Sequence, residues 1–180
     1  LWCSRAARAL GLGIIACHAA EAAPPPAFGR AATPQEIASQ DIDVRADGAG
    51  LPPGHGSVAE GEALFASACA ACHGERGEKP VSPALRLIGG SGTLTAPHAI
   101  QTIGSYWPYA TTLFDYIRRA MPLTAPQSLT ADQVYAVTAY LLRLNGIVPD
   151  GTVLDAATLP AVRMPNRDGF VSAVHPGAKD

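Results

Sequence analysis

Residues 57–74 read SVAEGEALFASACAACHG. The first part carries the marks of a helix, and its end packs Cys69, Cys72 and His73 into five residues. Ser57 is suited to cap the helix, and Glu60, three residues on, completes a capping box. Glu60 and Glu62 stand in the first turns, where the helix dipole favours negative charge. Val58, Gly61, Phe65 and Cys69 recur at spacings of three and four, so they share a face. Gly61 costs about 1 kcal/mol of helix propensity. Either the close approach of another helix or simple tolerance near a helix start explains it.

The Cys-Ala-Ala-Cys-His cluster has three chemical readings. A zinc clasp needs four ligands. No second cysteine pair follows, His98 is the nearest candidate for a fourth, and the consecutive Cys72 and His73 cannot easily face the metal that Cys69 faces. A redox dithiol of the thioredoxin kind needs a preceding strand and a βαβ setting, whereas this pair ends a helix. Covalent haem attachment needs what is present: two thiols three residues apart for the two vinyl groups, and an adjacent imidazole for the iron. The expectation is one covalently bound haem c, with His73 as an iron ligand.

Working outward, residues 23–56 are punctuated by Gly and Pro and predict an extended arm with one short ordered turn. Residues 74–102 read mainly as loop. Residues 108–120, PYATTLFDYIRRA, predict a helix with Pro108 in its first turn and Leu113, Tyr116, Ile117 and Ala120 facing inward, stopped by Pro122. Residues 131–144 give the strongest helix. Thr130 caps it, Gln133 completes a capping box, Val134, Val137, Tyr140, Leu141 and Leu144 trace an apolar face, and Asn145-Gly146 ends it. Residues 147–180 show no sustained period and read as a tail on the domain surface or ordered by a partner. No alternating strand pattern stands out. The chain reads as all-α, and a bulky central cofactor makes up for the few residues available to fill a core.

With 180 residues there is room for one domain plus tails. A net charge of −2 without a basic run leaves no footprint for nucleic acid. Residues 1–22 combine Arg5 and Arg8, a short apolar run and small residues, the layout of a secretory signal peptide. That run is too short and too glycine-rich for a membrane span, so the mature chain is expected in the periplasm without one. Of the four cysteines, Cys3 and Cys17 fall in this leader. Cys69 and Cys72 remain, and a disulfide framework is excluded in the mature chain.

A haem iron calls for a second axial ligand or an open site. Candidates in the mature chain are Met121, Met164, His55, His98 and His175. Met121, at the end of a helix 48 residues after His73, is the preferred ligand, and Met164, in a second Met-Pro pair, is its nearest rival. The His73 Nδ1–H is expected to donate to a backbone carbonyl, with Pro83 in a loop of suitable reach. Tyr106, Trp107 and Tyr109 form an aromatic cluster suited to line the haem or to hydrogen-bond its propionates. Arg118 and Arg119 offer positive charge beside Met121.

Together these features resemble the class I cytochromes c. The resemblance covers about residues 57–145, and implies that Cys69, Cys72 and His73 attach and ligate the haem and that Met121 is the sixth ligand. It also implies that Gly61 and Phe65 pack on the face carrying Val137, Tyr140 and Leu141. A narrower similarity lies in GLPPGHGSVAEGEALF, TIGSYWPYATTLFDYIRRAMP, QSLTADQVYAVTAYLLRLNGIVP and MPNRDGF. These strings look like the cytochrome subunit of bacterial molybdenum-containing sulfite or sulfane dehydrogenases, over roughly residues 50–171. The similarity implies a class I cytochrome c fold around one haem, spanning residues 57–146, between an N-terminal arm at 23–56 and a C-terminal arm or partner-binding tail at 147–180. It implies single-electron transfer from a molybdenum-cofactor-containing dehydrogenase subunit to a downstream cytochrome or oxidase. The chain would then be the electron-transfer subunit of an oxidoreductase complex rather than a catalyst by itself. The alternative is a haem enzyme acting directly on a small sulfur compound or peroxide.

Overall fold

The structure is a computed structural model that describes residues 28–81 and 84–171. The expected leader at 1–22, Pro83 and His175 lie outside the described residues, as do the outermost parts of both arms.

The elements run α1 (Pro34–Gln40), β1 (His55–Ser57), α2 (Val58–Ala68), α3 (Ala70–His73), α4 (Ala110–Ala120), α5 (Ala131–Leu144), β2 (Val153–Asp155) and a 3-10 turn (Leu159–Ala161). Helix α5 organises the rest. Every residue from Val134 to Leu142 is buried, and a helix apolar on all sides must be covered on all sides. Helix α2 covers one face, α4 another, and the two strands a third. Both predicted capping boxes form: Ser57 with Glu60 at the start of α2, and Thr130 with Gln133 at the start of α5.

Gly61 permits the α2–α5 crossing. A β-carbon there would stand 1.9 Å from the Ala136 carbonyl oxygen and 2.8 Å from Tyr140 Cβ, so the helix backbones meet where only glycine fits. One turn on, the Phe65 and Tyr140 rings lie 5.4 Å apart. On the other side of α5, Phe114 of α4 meets Tyr135 at 4.5 Å.

The structure departs from the sequence reading in four places. Two three-residue strands interrupt the all-α pattern and pair antiparallel, His55 with Asp155, Gly56 with Leu154 and Ser57 with Val153. They are too short for a period-2 pattern, and Gly56 is there because a β-carbon would lie 2.2 Å from the Ala136 nitrogen. The N-terminal arm holds a complete short helix, α1, with a Thr33–Glu36 capping box. Helix α4 begins at Ala110 rather than Pro108, since Tyr109 has extended backbone angles. Tyr116 does not face inward. It is 49% exposed, Phe114 occupies the core instead, and Tyr116 stands edge-on to Trp107 at 5.7 Å.

Both flanking segments are part of the folded body. Leu154, Leu159 and Met164 are buried in the core. The Tyr135 hydroxyl donates to the Pro52 carbonyl at 2.9 Å, and the His55 amide donates to Asp132 Oδ1 at 2.8 Å. Among the described residues, no helix is long and apolar enough to cross a membrane.

Candidate haem site

The cluster is set by a break between two helices. Helix α2 ends at Ala68, and Cys69 leaves it with φ −122° and ψ −36°. Its carbonyl then accepts from both the Cys72 and His73 amides, at 3.1 and 3.0 Å. This opens the one-turn helix α3, which Gly74 closes at φ +78°. The turn places the two thiols differently. Cys69 is half-buried against the core and Cys72 is exposed. Burial, reinforced by the neighbouring Cys72, pushes the Cys69 thiol up to about 11. Both thiols are free.

The following loop folds back onto the turn. The Val81 amide donates to the Cys72 carbonyl at 2.7 Å, and the Leu87 amide to the Gly77 carbonyl at 2.8 Å. The Leu85 carbonyl lies 3.1 Å from His73 Nδ1. A proton on Nδ1 satisfies that contact and leaves the Nε2 lone pair for a metal. Asn145 ties the loop to the end of α5 by donating to the carbonyls of Leu87, at 3.3 Å, and Leu141, at 2.9 Å.

The two methionines occupy different settings. Met164 is 1% exposed and enclosed by the core. Met121 is half-buried at the end of α4, its amide donating to the Ile117 carbonyl at 3.0 Å. Of the rival histidines, His55 and His98 are exposed, and the His55 backbone is committed to β1. Tyr106, Trp107 and Tyr109 are all half-buried, each with a different neighbour. Tyr106 meets Phe170 at 5.1 Å, Trp107 meets Tyr116, and Arg167 stands 4.6 Å over the Tyr109 ring. Asn166 also donates to the Tyr106 carbonyl at 2.7 Å.

The donor set fits covalent haem. Two free thiols flank one helical turn, the adjacent imidazole has its Nδ1 occupied by a carbonyl, and an accessible thioether ends a separate helix. Exposed apolar side chains sit on the same segments: Val81 and Leu85 in the loop bonded to Cys72 and His73, and Leu123 two residues beyond Met121. They suit a large apolar group better than water. A zinc clasp does not fit, since no group of three or more His, Cys, Asp or Glu is placed to hold a metal ion among the described residues.

Leu85 and Asn145 were not singled out as site residues by the sequence. A carbonyl acceptor carries no side-chain signature, and Asn145 read only as a helix stop.

A helical body built on an α2–α5 crossing, with a CxxCH turn leaving the first of those helices, defines a class I cytochrome c. The family model for cytochrome c matches residues 58–145, and the chain belongs to this family. It is 48% identical to a chain in the crystal structure of the sulfane dehydrogenase SoxCD from Paracoccus pantotrophus. That match has a TM-score of 0.74 and covers 80% of this chain and 70% of that one. No curated protein sequence matches.

Proposed function

We propose that this chain is the cytochrome subunit of a molybdenum-containing sulfite or sulfane dehydrogenase. It takes single electrons from the catalytic subunit and passes them to a downstream cytochrome or oxidase in the periplasm. The observation that carries this reading is the likeness to a sulfane dehydrogenase chain at 48% identity, which extends over 80% of the chain, well beyond the general cytochrome c match.

When bound, the haem supplies a one-electron iron couple. Cys69 and Cys72 would hold it through thioether links. His73 would ligate the iron through Nε2, its ring orientation and tautomer fixed by the Leu85 carbonyl. Met121 would offer its sulfur from the end of α4. Methionine–histidine ligation would raise the potential of a c-type haem, which suits a carrier, and iron held by both His73 and Met121 would leave no place for a substrate. Trp107 and the Tyr106–Tyr109 segment would exclude water from one side.

Purification of the exported chain from the periplasm with its bound partner, followed by metal analysis and a haem spectrum, tests this. Covalent haem recovered together with molybdenum is the expected result. A chain recovered with covalent haem but always free of a molybdenum protein would overturn the partner assignment.

A further inference from the structure

Four contacts fasten one short piece of the N-terminal arm, residues 42–46, along helix α4, and a fifth, within α4, orients one of them. The Val44 amide donates to Asp115 Oδ1 at 3.0 Å, Arg118 donates to the Ile42 carbonyl at 3.2 Å, and the Thr111 hydroxyl donates to the Ala46 carbonyl at 3.3 Å. Arg119 donates through Nε to Asp115 Oδ2 at 2.8 Å and pairs with Asp43 through its other arm. Asp115 is the hub. One carboxylate oxygen holds the strap backbone, and the other orients the guanidinium that holds the strap's own carboxylate.

The geometry connects this hub to Met121. Arg118 and Arg119 are the third- and second-last residues of α4, and Met121 is its C-cap. A cavity of about 200 Å³ is lined by Ile42 and Pro52 of the arm, Arg118 of α4, and Gln127, Leu129 and Ala131, which run from the loop after Met121 into α5. The arm therefore borders both the last turn of α4 and the loop that continues from it. Many loop residues between Leu123 and Thr130 are exposed, so the strap adds a restraint on this end of the helix beside the core packing of Ile117 and Met121.

We propose that Asp115 is a positioning residue for Met121. By clamping the 42–46 strap to α4 it holds the helix end that presents the thioether, and so limits how often the sulfur leaves the iron. This rests on Met121 being the axial ligand. A charge-assisted hydrogen bond to a partly buried group is worth roughly a tenfold change in a local equilibrium, and a competing ligand reads the population of the open state directly.

The test uses the full haem-loaded chain. Imidazole is titrated into the ferric form of the wild type and of the D115A, D115N, D150A and M121A variants, and amide hydrogen exchange is followed at Met121. Asp150, whose carboxylate pairs with Arg143 on the far end of α5, controls for loss of an ion pair away from α4. Expected are roughly tenfold tighter imidazole binding in D115A, faster exchange of the Met121 amide, and wild-type behaviour in D150A. D115N keeps an acceptor for the Val44 amide but loses the charge facing Arg119. It gives a smaller shift in the same direction, and it decides the matter if D115A does not fold. Unchanged imidazole affinity and exchange in the folded Asp115 variants would overturn the positioning role while leaving Met121 ligation intact. A wild-type spectrum identical to that of M121A would overturn the ligation itself, and the positioning role with it.

Discussion

Gly61 of α2 faces the Ala136 carbonyl of α5 so closely that a β-carbon would lie 1.9 Å from the oxygen. The obstacle is helix backbone, which cannot rotate away as a side chain can. Gly61→Ala is therefore expected to destabilise the protein by about 3 kcal/mol, at the upper end of overpacking costs, even though alanine is the better helix former by about 1 kcal/mol. Chemical denaturation of the haem-loaded protein checks this. A variant as stable as the wild type would mean that the two helices do not cross here.

The two methionines predict opposite phenotypes. Met164 is enclosed by the core, so Met164→Ala should cost about 2–5 kcal/mol of stability and leave the low-spin haem spectrum unchanged. Met121 is half-buried at a helix end. Met121→Ala should cost less through packing but abolish the methionine-ligated spectrum and lower the reduction potential. Paired denaturation and absorption measurements on the two variants separate them, and the reverse pattern would move the sixth ligand to Met164.

Stability should fall at high pH through Tyr135. Burial, with Asp155's negative charge adding and Arg118 opposing, pushes its phenol up to about 12 from an ordinary 10. The unfolded chain ionises first, so this contribution is fully present below pH 10 and is lost as pH rises from 10 to 12. Tyr135→Phe should flatten that part of the alkaline limb, and cost about 1 kcal/mol at neutral pH for the lost bond to the Pro52 carbonyl. Denaturant midpoints from pH 8 to 12, on the order of those phenol values, report both effects. At the acid end the signs reverse. The carboxyls of Glu60 and Asp155 are held below their ordinary values by hydrogen bonds from Ser57 and Thr158 respectively, so their contributions are lost as pH falls.

Asn145 predicts a local effect. Its amide bonds both the Leu87 carbonyl in the loop behind His73 and the Leu141 carbonyl of α5. Asn145→Ala should loosen that loop, raising hydrogen exchange in residues 77–88 while costing only about 1–2 kcal/mol globally. Exchange confined to the end of α5 would show that the loop does not depend on this tie.

Local signals carried much of this fold. Helix α5 lies on the residues read for it because its capping box, apolar face and Asn-Gly stop agree, and Gly61 reads as a point of close approach, on the α5 face that the resemblance to class I cytochromes c implies. The Thr33–Glu36 box is equally local, but the segment reads from its Gly and Pro content as an arm with one short turn, and the box does not enter that reading. The strands were out of reach, since three residues containing a glycine have no period and gain their reason only from Ala136. Tyr116 was misread because helical spacing ranks faces by hydrophobicity, and cannot show that Trp107 offers an aromatic partner outside the core. At the site, Cys69, Cys72 and His73 were legible as a spacing, whereas the Leu85 carbonyl and the strap on Asp115 exist only through folding.

Rapid mixing of the chain, purified with its partner from the periplasm, with sulfite or a protein-bound sulfane tests the electron-carrier reading most directly, with haem absorbance followed in a single turnover. Reduction of the haem by one of these substrates, without spectral signs of a ligand entering the iron, is the predicted result. A haem that chemical reductants reduce but neither sulfur substrate does, or one that turns high-spin and binds the substrate itself, would contradict it.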